Sequence, residues 1–195
     1  MRITGGEFRG RVLKVPKTDA IRPTQDRVRE ALFNILAPEI VGADFLDLFA
    51  GSGAVGLEAL SRGAKSVTFV EQNRRHLAIL KENAQALLHP PSSLLASPSL
   101  FSADVYRWIS SYPGDGYSMV FADPPYALGE ERGYASVLAT LAERGVVRRG
   151  GLFIAEMTAE QRPESVGGWE LLRDRTYGKT RICIWRLLSN PSAPL

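Results

Sequence analysis

From residue 44 onward, short apolar runs alternate with stretches of helical periodicity, and that alternation admits very few architectures. Phe45-Leu46-Asp47-Leu48-Phe49 is the first run, Ser66-Val67-Thr68-Phe69-Val70 the second, and Leu100-Phe101 leads to Asp104 at a third. Tyr117-Ser118-Met119-Val120-Phe121 and Gly151-Leu152-Phe153-Ile154-Ala155 continue the series. Between them, Leu57 to Leu60 continues helically and residues 75–88 carry Leu77, Leu80, Ala84 and Leu87 on one stripe. A short helix is expected around Trp108 and another over residues 134–143. Alternating βα units pack as a mainly parallel sheet covered by helices on both faces. Residues 169–175 and 181–187 follow with no helix between them, which predicts an antiparallel hairpin at a sheet edge. The expected fold is α/β, doubly wound, with an N-terminal extension.

That extension is small and basic. Gly5, Gly6 and Gly10 punctuate short runs, and Val12-Leu13-Lys14-Val15 is extended in character, so residues 1–22 read as a β appendage. Pro23-Thr24 opens a helix with Thr24 as its expected N-cap and Asp26 in the first turn. Val28, Ala31, Leu32, Ile35 and Leu36 give this helix an apolar face, with Gln25, Arg27 and Asn34 on the other. The main domain is expected over residues 23–190, followed by a tail at 191–195, with a Pro/Ser-rich surface loop at 89–99.

Composition and charge exclude several classes. At 195 residues and 45% hydrophobic, the chain has the size and make-up of about one globular domain. No run approaches the ~20 apolar residues that cross a bilayer, and Met1-Arg2-Ile3-Thr4-Gly5-Gly6 lacks the apolar stretch of a signal peptide. The single cysteine, Cys183, forms no intramolecular disulfide and no metal site with its own kind, which fits a reducing cytoplasm. Residues 1–30 hold eight basic against four acidic side chains, the whole of the net charge of +3. Arg173, Arg175, Lys179, Arg181 and Arg186 form a second basic focus against Asp174. Basic ends around a neutral body point to an anionic partner such as RNA or DNA.

In sheets of this kind ligands bind at the carboxyl ends of the strands. Asp47 closes the first strand, and Phe49-Ala50-Gly51-Ser52-Gly53-Ala54-Val55-Gly56 makes the turn into the helix. Gly51, Gly53 and Gly56 satisfy the G-x-G-x-x-G spacing of a dinucleotide site, with Glu71 20 residues after Gly51 to accept ribose hydroxyls. The same glycines also serve a tight turn alone. Asp47 shifts the balance from NAD towards S-adenosylmethionine, because it would repel a pyrophosphate and attract an amine or sulfonium. Asp104, at the third strand end, suits an adenine amino group or, equally, the N-cap of the next helix.

Asp123-Pro124-Pro125-Tyr126 ends the fourth strand. Prolines donate no ladder bonds and hold their predecessors extended, so the tetrapeptide is a stiff rim with two free acceptors: the Asp123 carboxylate and the Pro124 carbonyl. Tyr126 offers a surface for stacking a nucleobase. An exocyclic amine is a poor nucleophile because its lone pair is delocalised into the ring. Two acceptors on its two hydrogens favour a pyramidal nitrogen, and Asp123 stabilises the charge that develops there.

These residues resemble the amino-group methyltransferases of adenine N6 or guanine N2. Gly5-Gly6-Glu7-Phe8-Arg9-Gly10-Arg11, Arg22-Pro23-Thr24-Gln25-Asp26-Arg27-Val28-Arg29-Glu30 and Tyr177-Gly178-Lys179-Thr180 resemble more closely the RsmD family, the 16S rRNA (guanine(966)-N(2))-methyltransferases of the bacterial small ribosomal subunit. The resemblance implies a Rossmann-like class I fold with a mostly parallel seven-stranded sheet. It implies S-adenosylmethionine held by Asp47, Phe49, Gly51, Ser52, Gly53, Glu71, Gln72, Asp104 and Val105, with Thr24 beside the cleft. Asp123, Pro124, Pro125 and Tyr126 would hold the target guanine, and Arg2, Arg9, Arg11, Arg22, Arg27 and Lys179 would grip RNA. The implied partner is 16S rRNA in the small subunit or its assembly intermediate, with no membrane and no metal. An adenine-N6 methyltransferase, a non-catalytic RNA-binding assembly factor and an NAD enzyme are the rival readings.

Other reactive side chains read as structural. His76 and His89 lack metal or triad spacing, Cys183 alternates with isoleucines, and the three tryptophans read as packing.

Overall fold

The computed structural model describes residues 1–16, 23–88, 98–124 and 126–189, with side chains described throughout these except at 23–25 and 126–132. The elements are α1 (Pro23–Leu36), β1 (Asp44–Leu48), α2 (Ala54–Ser61), β2 (Ser66–Val70), α3 (Arg74–Leu87), β3 (Ser99–Phe101), α4 (Val105–Ser110), β4 (Tyr117–Ala122), α5 (Tyr126–Glu143), β5 (Val147–Thr158), β6 (Trp169–Tyr177) and β7 (Thr180–Leu187). The seven strands form a mixed sheet in the order β3-β2-β1-β4-β5-β7-β6. This is the expected α/β class. The chain divides into two compact units, Met1–Val105 and Tyr106–Leu195.

In the first unit β1 runs parallel to β2 and β2 to β3, with Phe45 opposite Val67 and Val70 opposite Phe101. β1 and β2 are each buried at four of five positions, as strands covered on both faces must be. The stripe of α3 is buried at Leu77, Leu80, Ala84 and Leu87, and Asn73 caps its start by accepting from the Arg75 and His76 amides. Val28, Leu32, Phe33 and Leu36 carry the buried face of α1. That helix begins at Pro23, so Thr24 lies inside it and is not its N-cap. Proline suits a first helical position because the amide it lacks has no intrahelical partner there.

In the N-terminal segment residues 1–3 pair antiparallel with residues 10–13: Arg2 bridges Val12, the Ile3 amide donates to the Arg11 carbonyl (3.0 Å), the Gly10 amide to the Ile3 carbonyl (2.9 Å) and the Leu13 amide to the Met1 carbonyl (2.9 Å). α2 anchors this paired segment: Glu58 accepts from the Thr4 amide (2.8 Å), the Gly5 amide (2.8 Å) and the Thr4 hydroxyl (2.7 Å). Ser61 takes the Glu7 amide through its carbonyl and the Phe8 amide through its hydroxyl. The amides of the connecting residues thus bond to a helix while the flanking residues bond to each other. Glu58 is completely buried and also binds Arg29 (3.2 Å) and Arg62 (2.8 Å). Burial alone would raise its carboxyl, but the Thr4 and Arg62 hydrogen bonds and the Arg29 charge outweigh that and hold it below the ordinary value.

In the second unit β4 and β5 are parallel, while β7 runs antiparallel between β5 and β6, leaving β6 at the edge as expected. Phe153 packs against Trp185, Trp169 and Tyr134 at ring-centre distances of 5.8, 6.4 and 6.5 Å. Trp169 and Trp185 are therefore core, as their sequence setting implies. β5 starts at Val147, four residues before the apolar run at 151. α5 starts at Tyr126 and not at 134; Gly133 (φ 63°, ψ 151°) interrupts it, and the expected helix is the part beyond that break. The second basic focus is also corrected, since Arg181 is buried and lies 3.6 Å from Asp174. Cys183 is fully buried, and burial, reinforced by Asp174, pushes its thiol up to about 12, so it is no nucleophile. Residues 89–97 of the Pro/Ser-rich stretch, and the tail expected at 191–195, fall outside the described residues.

Candidate functional site

The turn leaving β1 is built around two buried carboxylates. Asp47 is 1% exposed and its Oδ2 accepts from the Gly56 amide at 2.8 Å. Desolvation pushes its carboxyl up to about 8, with the Gly56 hydrogen bond opposing and the Glu71 charge adding to the rise. Glu71, one residue beyond β2, accepts from the Gly51 amide (2.8 Å) through one oxygen and from the Asn73 amide (2.6 Å) through the other. The Gly53 amide closes the turn on Ala50 (2.8 Å). Asn83 of α3 braces it further, donating to the Ser52 carbonyl (2.9 Å) while also binding Lys14.

Two glycines here are demanded by packing and one by space. A Cβ at Gly53 (φ +82°) would sit 2.8 Å from Leu80, and one at Gly56 would sit 2.3 Å from Phe69. At Gly51 (φ +56°) a Cβ would meet only the Phe49 carbonyl at 4.0 Å, so its open side is available to a ligand. Phe49 holds φ 61°, unusual for a residue with a side chain and the kind of strain found at ligand sites.

This chemistry discriminates between cofactors. A dinucleotide site presents free loop amides to a pyrophosphate. Here the Gly51, Gly53 and Gly56 amides are all taken, two of them by carboxylates. What the turn offers is carboxyl oxygens as acceptors, which fit the amine and ribose hydroxyls of S-adenosylmethionine and do not fit phosphates. Asp104 stands half-buried immediately before α4, a position consistent with both of its sequence readings. Val105 is buried, Ser52 half-buried and Gln72 exposed; the side chain of Thr24 lies outside the described residues.

The second candidate site leaves β4. Asp123 follows the strand directly and is exposed, and Pro124 is half-buried. Pro125 lies outside the described residues, as does the side chain of Tyr126, which opens α5. Tyr134 joins this site from the fold alone. Its hydroxyl donates to the Glu156 carbonyl at 2.8 Å, and burial, then the Asp123 charge, raise its pKa far above the usual phenol value. Tyr134 is thus a neutral, fixed neighbour of Asp123. Among the described residues, no group of three or more His, Cys, Asp or Glu could hold a metal, and no helix is long and apolar enough to cross a membrane.

The arginines assigned to RNA separate into kinds. Arg2, Arg9 and Arg27 are exposed. Arg11 is exposed too, but it donates to the Ala86 and Leu87 carbonyls at the end of α3 and stacks on Phe8. Lys179 is exposed in the β6–β7 turn, and Arg22 lies outside the described residues.

Comparison with known proteins places this geometry. The family model described as Conserved hypothetical protein 95 matches residues 1–186. The Ribosomal RNA small subunit methyltransferase D of Escherichia coli strain K12 is 39% identical over 95% of this chain and 89% of its own length. The solved structure of Escherichia coli yhhF is 33% identical, covers 97% of this chain and 99% of its own, and superposes with a TM-score of 0.81. The fold extends to SMU.776 in complex with SAH, at 19% identity and a TM-score of 0.60. The match over nearly the whole chain, together with the glycine turn and the Asp-Pro-Pro-Tyr segment, makes this protein a member of the Conserved hypothetical protein 95 family, the RsmD family that its motifs resemble.

Proposed function

We propose that the protein transfers a methyl group from S-adenosylmethionine to the exocyclic N2 amine of a guanine in 16S rRNA, at the position its family modifies. The observation that carries this reading is a glycine turn whose Gly51, Gly53 and Gly56 amides are taken and which presents carboxyl oxygens; the exposed Asp123 after β4 supports it separately. Bound to that turn, S-adenosylmethionine supplies an activated methyl group. Glu71 is the acceptor for the ribose hydroxyls, Asp104 the partner of the adenine, and Asp47, protonated in the cofactor-free fold, gives up its proton to face the cationic amine.

The Asp123 carboxylate and the Pro124 carbonyl accept the two N–H bonds of the target amine and turn its lone pair outward. As the N–C bond forms at the expense of the methyl–sulfur bond, whose electron pair would stay on sulfur, the nitrogen gains the positive charge and Asp123 stabilises it. The amine must then shed one proton, and an exposed carboxylate passes it to water. Tyr126 stacks the base, which has to leave its own stack to be held. Exposed Arg2, Arg9, Arg27 and Lys179 contact phosphates, so RNA binding weakens as salt rises. This substrate carries with it a cytoplasmic location and, as partner, the small subunit or its assembly intermediate.

The deciding experiment is labelled methyl transfer to bare and to assembled small-subunit RNA, followed by nucleoside analysis. N2-methylguanosine supports the reading. N6-methyladenosine would transfer it to the adenine class, and no incorporation into any ribosomal RNA would leave a binding protein without catalysis.

A further inference from the structure

Three arginines whose guanidinium groups make no hydrogen bond or ion pair among the described residues line one cavity. It encloses about 460 Å³ within the first unit, between the N-terminal segment and α1, and is lined by Arg2, Arg9 and Arg27 with Asp26, Glu30 and Thr4 among its walls. Among the described residues the guanidinium groups of Arg2, Arg9 and Arg27 have no hydrogen bond or ion pair, whereas Arg11, Arg29 and Arg62 are all engaged. Of the two carboxylates, Asp26 is held by Arg29 at 3.1 Å, and Glu30 is exposed.

The walls are pinned from behind. Buried Arg29 donates to the Arg2 carbonyl, to Asp26 and to Glu58. Glu58 in turn fixes both the amide and the hydroxyl of Thr4. A buried ion pair is weak evidence for stability, because desolvation offsets much of its attraction, but it fixes geometry. Here that geometry is the spacing of Arg2, Thr4 and Asp26.

We infer that this cavity is a backbone subsite for the substrate RNA, in which Arg2, Arg9 and Arg27 clamp one phosphodiester. Guanidinium forks match phosphate oxygens in paired hydrogen bonds. None of the described residues lining the cavity is aromatic, so among them it has no stacking platform and the contact is to the backbone. Glu30 is an acceptor placed to take a ribose 2′-hydroxyl, a donor that RNA has and DNA lacks. The inference rests on the RNA reading proposed above. It adds that the N-terminal charge acts at one linkage and is not a diffuse field.

The test measures RNA affinity against salt for the wild type, for R2Q, R9Q and R27Q singly, and for the triple variant, with methyl transfer and melting recorded on the same preparations. The triple variant should bind RNA at least tenfold more weakly while melting like the wild type. Its slope of log K against log salt should fall by about 0.7, the value of one phosphate on a single strand. The single effects should be non-additive, because the three side chains share one partner. A scan of RNAs with one neutral methylphosphonate linkage should find a single linkage that weakens the wild type and leaves the triple variant unaffected. Additive losses with a slope change of about 2, or no sensitive linkage, would overturn the clamp in favour of diffuse charge. Unchanged RNA affinity with loss of binding to assembled particles would overturn it in favour of a protein contact. If the wild type binds RNA in this way but transfers no methyl group, the proposed function fails and the subsite stands.

Discussion

The turn after β1 and the turn after β4 occupy equivalent places in two βα units, yet they are built in opposite ways. At the first, Asp47 and Glu71 are buried and bonded to backbone amides, and Asn83 braces the loop from α3. At the second, Asp123 is exposed and is followed in sequence by two prolines. The difference matches the role proposed for each carboxylate. A group that shapes a binding loop is buried and bonded into the fold. A group that must receive a substrate proton has to stay within reach of substrate and water.

The largest effect that this contrast predicts is on turnover. Asp123→Ala should lower kcat by about 10²-fold or more, the scale of losing a preorganised electrostatic partner, with cofactor affinity within twofold of the wild type. Near-normal turnover in that variant would erase the functional half of the comparison. Glu71→Ala should do the reverse. It strips the acceptor from the Gly51 and Asn73 amides, each costing about 1–3 kcal/mol when buried and unpaired, so cofactor binding and melting temperature should fall together. A variant that melts normally and binds the cofactor normally would show that Glu71 is incidental.

Glycine substitutions sharpen the contrast within the first turn. Gly53→Ala forces a Cβ to 2.8 Å from Leu80 at a φ of +82° and should cost about 1–3 kcal/mol, a drop of several degrees in melting temperature. Gly51→Ala has open space and should cost only about 1 kcal/mol in the fold, yet should weaken cofactor binding because its methyl group enters the ligand's side of the turn. Equal melting temperatures for the two variants would break the assignment of one glycine to packing and the other to space.

The smallest expected effect is the dependence of stability on pH. Asp47 rises to about 8 in the folded chain from an ordinary value of 3.8, so between those values the folded state holds a proton that the unfolded state has lost. Stability of the cofactor-free protein should therefore decline as pH rises through that window. Asp47→Asn, which keeps an acceptor for the Gly56 amide, should flatten the decline. Glu58 acts in the opposite direction. Held below its ordinary value, it stabilises the fold above about pH 4.5, and that contribution is lost on acidification. Melting curves of the wild type and D47N from pH 4 to 8 check both signs.

The strand–helix alternation, the glycine turn, the α3 stripe and the edge hairpin were all legible in sequence, because each is carried by local periodicity or by a residue type with few conformational alternatives. The role of Glu58 was not legible. It lies in a helix of average appearance, and only folding brings the amides of residues 4 and 5 to its carboxylate. For the same reason Arg29 and Arg181 counted as surface charge although both are buried. Tyr134 looked like any apolar helix residue until β5 supplied the carbonyl of Glu156.

By itself, the sequence determined the order of elements, the glycine spacing and the placing of acids at strand ends, since backbone conformation and apolar periodicity act over a few residues. Tertiary structure decided which amides those acids satisfy and which arginines remain free, because desolvation and hydrogen bonding depend on neighbours as distant as the 54 positions separating Thr4 from Glu58. A residue's charge is written in its side chain. Whether that charge faces a buried partner or an incoming phosphate depends on what the fold places beside it.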